Sequence, residues 1–345
     1  MSHRSLDALP QELILAVLYA ICHCAQGDLL AIASTNRMLH DATIPSLYRT
    51  VVLNTASSVS SFAHLARGND ERLLFVRNLS PWGGLTLGDG NARKQICDIL
   101  VACAGLVNIQ IFSHNLYKQG QLVPLVLPNV EEMYVWLHRD WSAVDNGIFR
   151  RVKRLHIADL QSWVSYEAEQ SPRPEHWLAT LRQLFRYENF PELQYLSMTM
   201  APYQFFEESE VTLFQLVVRA VLELNGIVRL IVRMTGPDTI AASFVAFLTG
   251  LHDPRVFLLS YFERHPELAD NLISWRLNAL GQRGMWNAGL QMFNPNATRL
   301  PISDHVQGLL ESLDEDDEDV YEESTVEQSN LERAQLWQQL RSNRV

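Results

Sequence analysis

One short phrase returns five times between residues 103 and 232, and its spacing limits the chain to a narrow set of folds. Cys103-Ala-Gly-Leu106-Val-Asn-Ile109-Gln-Ile111 carries apolar residues at relative positions 1, 4, 7 and 9. The same placement occurs in Leu127–Val135, Phe149–Ile157, Phe190–Met198 and Leu224–Val232. Looser copies stand at Leu73–Leu79 and Val256–Leu259. Apolar residues two apart at positions 7 and 9 are the mark of a strand with one buried face. The third anchors, Ile109, Met133, Leu155, Leu196 and Leu230, are separated by 24, 22, 41 and 34 residues. Repeats of about 20–29 residues built on a short strand stack into a parallel sheet, and the two longer intervals leave room for a helix on the outer side. Glu175–Phe185, Leu213–Leu224 and Thr239–Leu251 are the expected helices. The alternative is an irregular α/β domain whose strands share alternation alone.

In either case the Leu, Ile and Val anchors belong to the core. Side chains that alternate with them point the other way, so function is expected on Gln110, Glu132, Tyr134, His156, Ser197 and Arg229 and in the loops after the strands.

The first 50 residues follow a different rhythm. Pro10 suits the first turn of a helix, where its missing N–H is not needed. Leu13, Ile14, Val17, Leu18 and Ile21 then form a stripe, while Leu15, Ala16, Tyr19 and Ala20 make the other faces apolar too. One face of such a terminal helix can be hidden within its own domain; the second calls for a partner. Asp28 is the expected N-cap of a second helix bearing Leu29, Leu30, Ile32 and Ala33. A third helix is expected through Met38, Leu39 and Ala42 until Pro45 interrupts it, and Val51-Val52-Leu53 reads as a strand. Three short helices have a marginal core, and a partner is expected to stabilise them.

Leu9-Pro10-Gln11-Glu12-Leu13-Ile14, with Asp28-Leu29-Leu30 and Pro45-Ser46-Leu47-Tyr48-Arg49 after it, resembles an F-box. This is the helical module by which substrate receptors dock onto SCF-type ubiquitin ligases. The resemblance implies that Leu9, Pro10, Leu13, Ile14, Val17, Leu29 and Leu30 meet the SCF adaptor subunit, which links to the cullin scaffold. The repeated phrases resemble, in rhythm, the divergent leucine-rich-repeat F-box proteins of mushroom-forming fungi. The expected fold is therefore α/β: a three-helix F-box-like module over residues 1–50, an irregular parallel-strand solenoid over 51–300, and an acidic tail over 301–345. The implied role is recognition of a protein target, with no catalytic residue, cofactor or metal in this chain. The rival readings are a repeat scaffold without a ligase, and an enzyme with an unrecognised site in the α/β body.

Composition removes several other classes. Residues 311–323 hold nine acids and no Lys or Arg; with these nine removed the formal charge of the rest falls from −11 to −2. The body is near neutral, and neither part has the basic patch that nucleic-acid binding needs. The acidic run is expected to stay hydrated, and Ser329-Asn-Leu-Glu332 fits a capping box for a short terminal helix with Trp337. Four cysteines in 345 residues are no disulfide framework, and Cys22-His23-Cys24 lacks a second ligand pair for zinc. Asp7, Pro10 and Glu12 ahead of the apolar run from Leu13 to Ala25 argue against a secretory signal, and no run reaches the roughly 18 residues of a membrane span. A cytoplasmic or nuclear location is expected.

Two motif-like stretches fail on spacing. His138-Arg139-Asp140 imitates a kinase catalytic loop, but Asp145 stands where the partner Asn belongs. Gly84 to Gly90 is glycine-dense, yet no Lys-Ser/Thr pair follows its last glycine, so it reads as an extended loop rather than a phosphate cradle.

Overall fold

Ile109, Met133, Leu155, Leu196 and Leu230 form one unbroken row across five neighbouring strands, each the register partner of the next. The row extends to Leu79 and Val51 on one side and to Val256 on the other, so both looser copies of the phrase take their place in it. The computed structural model describes residues 10, 12–13, 26–35, 37–81, 90–112, 115, 125–136, 149–158, 190–200, 208–223, 226–234, 246–260, 275, 279, 285–287 and 290–292, all within one compact unit, Met1–Ile302.

The strands are β1 (Thr50–Val52), β2 (Asn78–Ser80), β3 (Asn108–Phe112), β4 (Glu132–Trp136), β5 (Arg154–Ile157), β6 (Tyr195–Met200), β7 (Arg229–Met234), β8 (Val256–Ser260) and β9 (Leu290–Gln291). They lie in strict sequence order in one open sheet. The first eight run parallel, and β9 closes the far edge antiparallel to β8. A mixed α/β fold is thus the observed class. Because the strand order never reverses, the sheet has no switch point of the kind that opens a nucleotide crevice in doubly wound folds.

The repeat is stereochemical as well as compositional. In the first four phrases the N–H at position 4 donates to the carbonyl at position 1, as in Leu106 to Cys103 (3.1 Å), Val152 to Phe149 (3.1 Å) and Leu193 to Phe190 (3.2 Å). The carbonyl at position 5 then accepts two N–H groups from the following phrase. Arg77 O takes Val107 and Asn108, Val107 O takes Glu131 and Glu132, Glu131 O takes Lys153 and Arg154, and Lys153 O takes Gln194 and Tyr195. Turn and strand are therefore invariant, and the unequal intervals are absorbed wholly in the connections that leave the strands' C-terminal ends. Gly226, at position 3 of its phrase, adopts φ 104°, a conformation a side chain would strain.

Helices fill connections between the strands, and three of them have defined bounds in the described residues. These are α3 (Ala56–Arg67) after β1, α4 (Gly90–Ala102) after β2 and α5 (Glu208–Leu222) after β6. Val59, Phe62, Ala63 and Ala66 line one side of α3 at helical spacing, and a Thr55/Ser58 capping box satisfies its first N–H groups. α5 matches the expected Leu213–Leu224 but begins five residues earlier, and residues 246–250 of the expected Thr239–Leu251 are helical. Glu175–Phe185 lies outside the described residues, as do the HRD-like triplet, Gly84–Asp89 and the acidic tail. Gly90 itself opens α4.

Two local expectations need correction in the N-terminal region. Helix α1 spans Gln26–Ala33, so Asp28 sits inside its first turn and is not the cap. Helix α2 spans Arg37–Arg49 and runs straight through Pro45. A mid-helix proline removes one N–H donor and crowds the preceding turn. In the turn before it the Thr43 hydroxyl donates toward Leu39 O (2.8 Å) and His40 O (2.9 Å). α2 then passes without a linker into β1, and Arg49 O accepts from Arg77 N (3.0 Å) just as Arg77, Val107, Glu131, Lys153 and Gln194 accept from the phrases that follow them.

Candidate functional site

Of the residues expected to meet a partner at the N-terminus, Leu9, Ile14 and Val17 lie outside the described residues. Pro10 is exposed, and its carbonyl accepts from Leu13 N at 3.0 Å, which starts the helical turn there. Leu13 is 52% exposed and Leu30 58% exposed. Leu29 is only 4% exposed, so this expected contact residue is part of the module's own interior and offers almost no area to a partner. Successive residues on a helix differ in direction by about 100°, which is how adjacent leucines come to serve opposite sides. Below them Leu39 gathers Ile32 and Ala42 into a small core.

The module is fastened to the sheet by aromatic and charged contacts. Tyr48 stacks on Phe62 with centroids 6.4 Å apart, and the Arg72 guanidinium lies 5.4 Å over the Tyr48 ring. Asp70 accepts from both the backbone N–H (2.9 Å) and the Nε (2.8 Å) of Arg72. These bonds hold the Asp70 carboxyl down at about 2, from an ordinary 3.8. The same Asp-x-Arg turn recurs at Asp253 and Arg255, where the same bonds lower the carboxyl's pKa. Neither turn was anticipated, although Asp-x-Arg before an apolar anchor is visible at both places.

The alternate residues of the strands were expected to be open for recognition. In the structure Gln110, Glu132, Tyr134, His156 and Ser197 are buried, and Arg229 is half-buried over the Phe257 ring at 3.6 Å. Glu132 and Tyr134 are covered by Trp286, in a segment that also brings Trp275 and Ala279 onto the sheet. Trp275 Nε1 donates to Asn108 Oδ1 (2.7 Å), and Trp286 Nε1 donates to Glu132 Oε1 (2.9 Å). Asn78 Nδ2 donates to Ala279 O (3.2 Å). Tyr134 and Tyr195 set their rings edge-on to Trp286 at 6.2 and 6.3 Å. Tyr134, Ile231, Leu259, Trp275, Met285 and Trp286 make one cluster, to which Val52 and Phe257 add from near the two margins of the sheet. A tryptophan buries well only where its N–H finds an acceptor, and that need was the one trace of this cover in the sequence.

Beneath the cover lies a polar network. Arg233 Nη1 donates to His156 Nε2 (3.0 Å), Thr199 Oγ1 lies 3.4 Å from the same nitrogen, and the Tyr134 ring sits 4.9 Å from the imidazole. A guanidinium only donates, so Nε2 is the acceptor of that bond. Ser80 Oγ donates to Gln110 Oε1 (2.8 Å). Ser197 is the register partner of His156, and among the described residues its buried Oγ makes no hydrogen bond. Among the described residues no three His, Cys, Asp or Glu side chains gather as a metal site. Cys97 and Cys103 are buried, and burial pushes the Cys103 thiol up to about 12, far from the range of a reactive cysteine. Among the described residues no helix is long and apolar enough to cross a membrane. No protein-family model matches the chain, and no curated protein matches it.

Proposed function

We propose that this chain is a non-catalytic recognition subunit of an SCF-type ubiquitin ligase. Its N-terminal module would be an F-box that binds the adaptor linked to the cullin, and its sheet a leucine-rich-repeat-like solenoid that presents a surface to a protein target. The observation that carries the reading is a pair of exposed leucines, Leu13 and Leu30, on a helical module whose own core holds Leu29 and Leu39. Large exposed apolar side chains on a small module are the usual anchors of an interface. The direct passage of α2 into β1 supports a module that carries its target surface at a defined orientation.

Pull-down from cells with the Pro10→Ala, Leu13→Asp double variant tests this. Loss of the adaptor, with an unchanged melting temperature, is expected, because an unpaired charge placed in an apolar contact is strongly disfavoured. Adaptor capture equal to that of the wild type would overturn the ligase reading and leave an interaction scaffold.

A further inference from the structure

The turns that precede the strands form a rim along one end of the sheet, and side chains tie them together. Arg77 Nη1 donates to Gly105 O (2.8 Å), Asn129 Nδ2 to Ala104 O (2.9 Å) and Arg151 Nη1 to Pro128 O (3.2 Å). Gly105 leaves room for the first of these, since a Cβ there would lie 2.1 Å from Arg77 Nη1. Because the backbone repeats, positions 2, 3 and 5 are at least partly exposed in each of the phrases that lead into β2 to β6. The later of these phrases fill them with Arg150, Arg151 and Lys153, then with Pro191, Glu192 and Gln194. The earlier ones place Leu74, Phe75 and Val107 there, 57%, 38% and 36% exposed. Val101 and Val126, 66% and 81% exposed, stand just ahead of the turns at Cys103 and Leu127. The fold has no need of apolar groups at such positions, as the later phrases show. Val228, at position 5 of the last phrase, is single, and scattered apolar residues call for no partner. Five on three adjacent turns make a patch of the kind that marks an interaction site.

The charge around the patch says what fits it. Arg77 borders it on the β2 side, and Arg150 and Arg151 border it on the β5 side. Among the described residues none of the three pairs with a carboxylate; Arg77 and Arg151 reach only carbonyls. We propose that this rim binds a segment of a protein target in which apolar side chains are bracketed by carboxylates. The phrases of β2 and β5 are three strand spacings apart, roughly 14 Å, which an extended chain crosses in about four or five residues. A second copy of the chain is a poor occupant, because it would bring like charges together. The proposal deepens the target-recognition reading given above and rests on it.

Anisotropy titration of the full-length chain with a labelled peptide, Glu-Asp-Leu-Phe-Leu-Val-Glu-Asp, tests it. Binding is expected at low salt and should weaken several-fold at high salt. Val126→Ser with Phe75→Ser, and separately Arg150→Glu with Arg151→Glu, should each weaken binding at least tenfold at an unchanged melting temperature. Val228→Ser should leave it unchanged. No binding, equal loss from Val228→Ser, or equal binding of the same peptide with Lys at every acidic position would overturn the proposal. So would capture of the chain by anionic phospholipid vesicles, or its dimerisation in sedimentation equilibrium, if the Val126→Ser, Phe75→Ser pair abolished either. The titration needs no adaptor, and adaptor capture through Leu13 and Leu30 should survive every rim variant, so each reading can fail without the other.

Discussion

The two faces of this sheet are equally buried at their centres and yet follow opposite rules. Leu155, Ile157, Leu196 and Met198 on the first face are fully covered and need nothing but volume from their neighbours. His156, Ser197 and Glu132 on the second face are covered too, but each brings a polar group that must be placed. Parallel sheets are commonly buried on both sides and read as continuous apolar runs. Here the second side mixes polar residues with Tyr134, Ile231 and Leu259, and two tryptophans close it both by packing on these and by hydrogen bonds to Asn108 and Glu132. The difference teaches that burial alone does not say how a surface is closed; the residue types do.

The sharpest way to break this comparison is on the first face. Leu196→Ala should lower global stability by about 2–5 kcal/mol in denaturant titration, since the cavity lies in the middle of a continuous row with backbone on both sides. A loss under about 1 kcal/mol would mean that the row is not the core on which the fold depends. On the second face, Glu132→Leu should cost less, about 1–3 kcal/mol, from the Trp286 N–H and the Arg154 guanidinium left without their acceptor. Indole fluorescence should shift as Trp286 loosens. Glu132→Gln, which retains an amide oxygen for the indole, should recover most of that loss; no recovery would assign the effect to charge instead of to the hydrogen bond.

The smallest effect is expected outside both faces, where Asp70 grips Arg72 beside Tyr48. Because its folded-state pKa is depressed to about 2 from 3.8, its contribution to stability is present above pH 4 and is lost as the pH falls toward 2. Acid titration of wild type against Asp70→Asn should show two curves that differ above pH 4 and converge near pH 2. A constant gap across that range would rule out the Asp70–Arg72 pair as its source.

How much of this was legible beforehand follows from the distance over which each feature is decided. The third anchors were readable because alternation within nine residues names the buried side of each strand, and their equal phase in five phrases names the row. The N-terminal leucines were readable as a set, but Leu29 and Leu30 could not be sorted into inside and outside without the rotation of α1 against α2. Pro45 was misjudged because its effect was weighed locally, while helix α2 continues through it to Arg49.

What the sequence by itself determined is the aliphatic side of every repeat, the turn before each strand and the parallel, sequential sheet that such units can build. Those features depend on contacts inside one phrase or between phrases of the same kind. Tertiary structure alone decided that the polar side is closed. Trp275 meets Asn108 across 167 residues, and Trp286 meets Glu132 across 154. No local pattern ties an indole to one acceptor among many, and only the path of the folded chain across the sheet selects the pair.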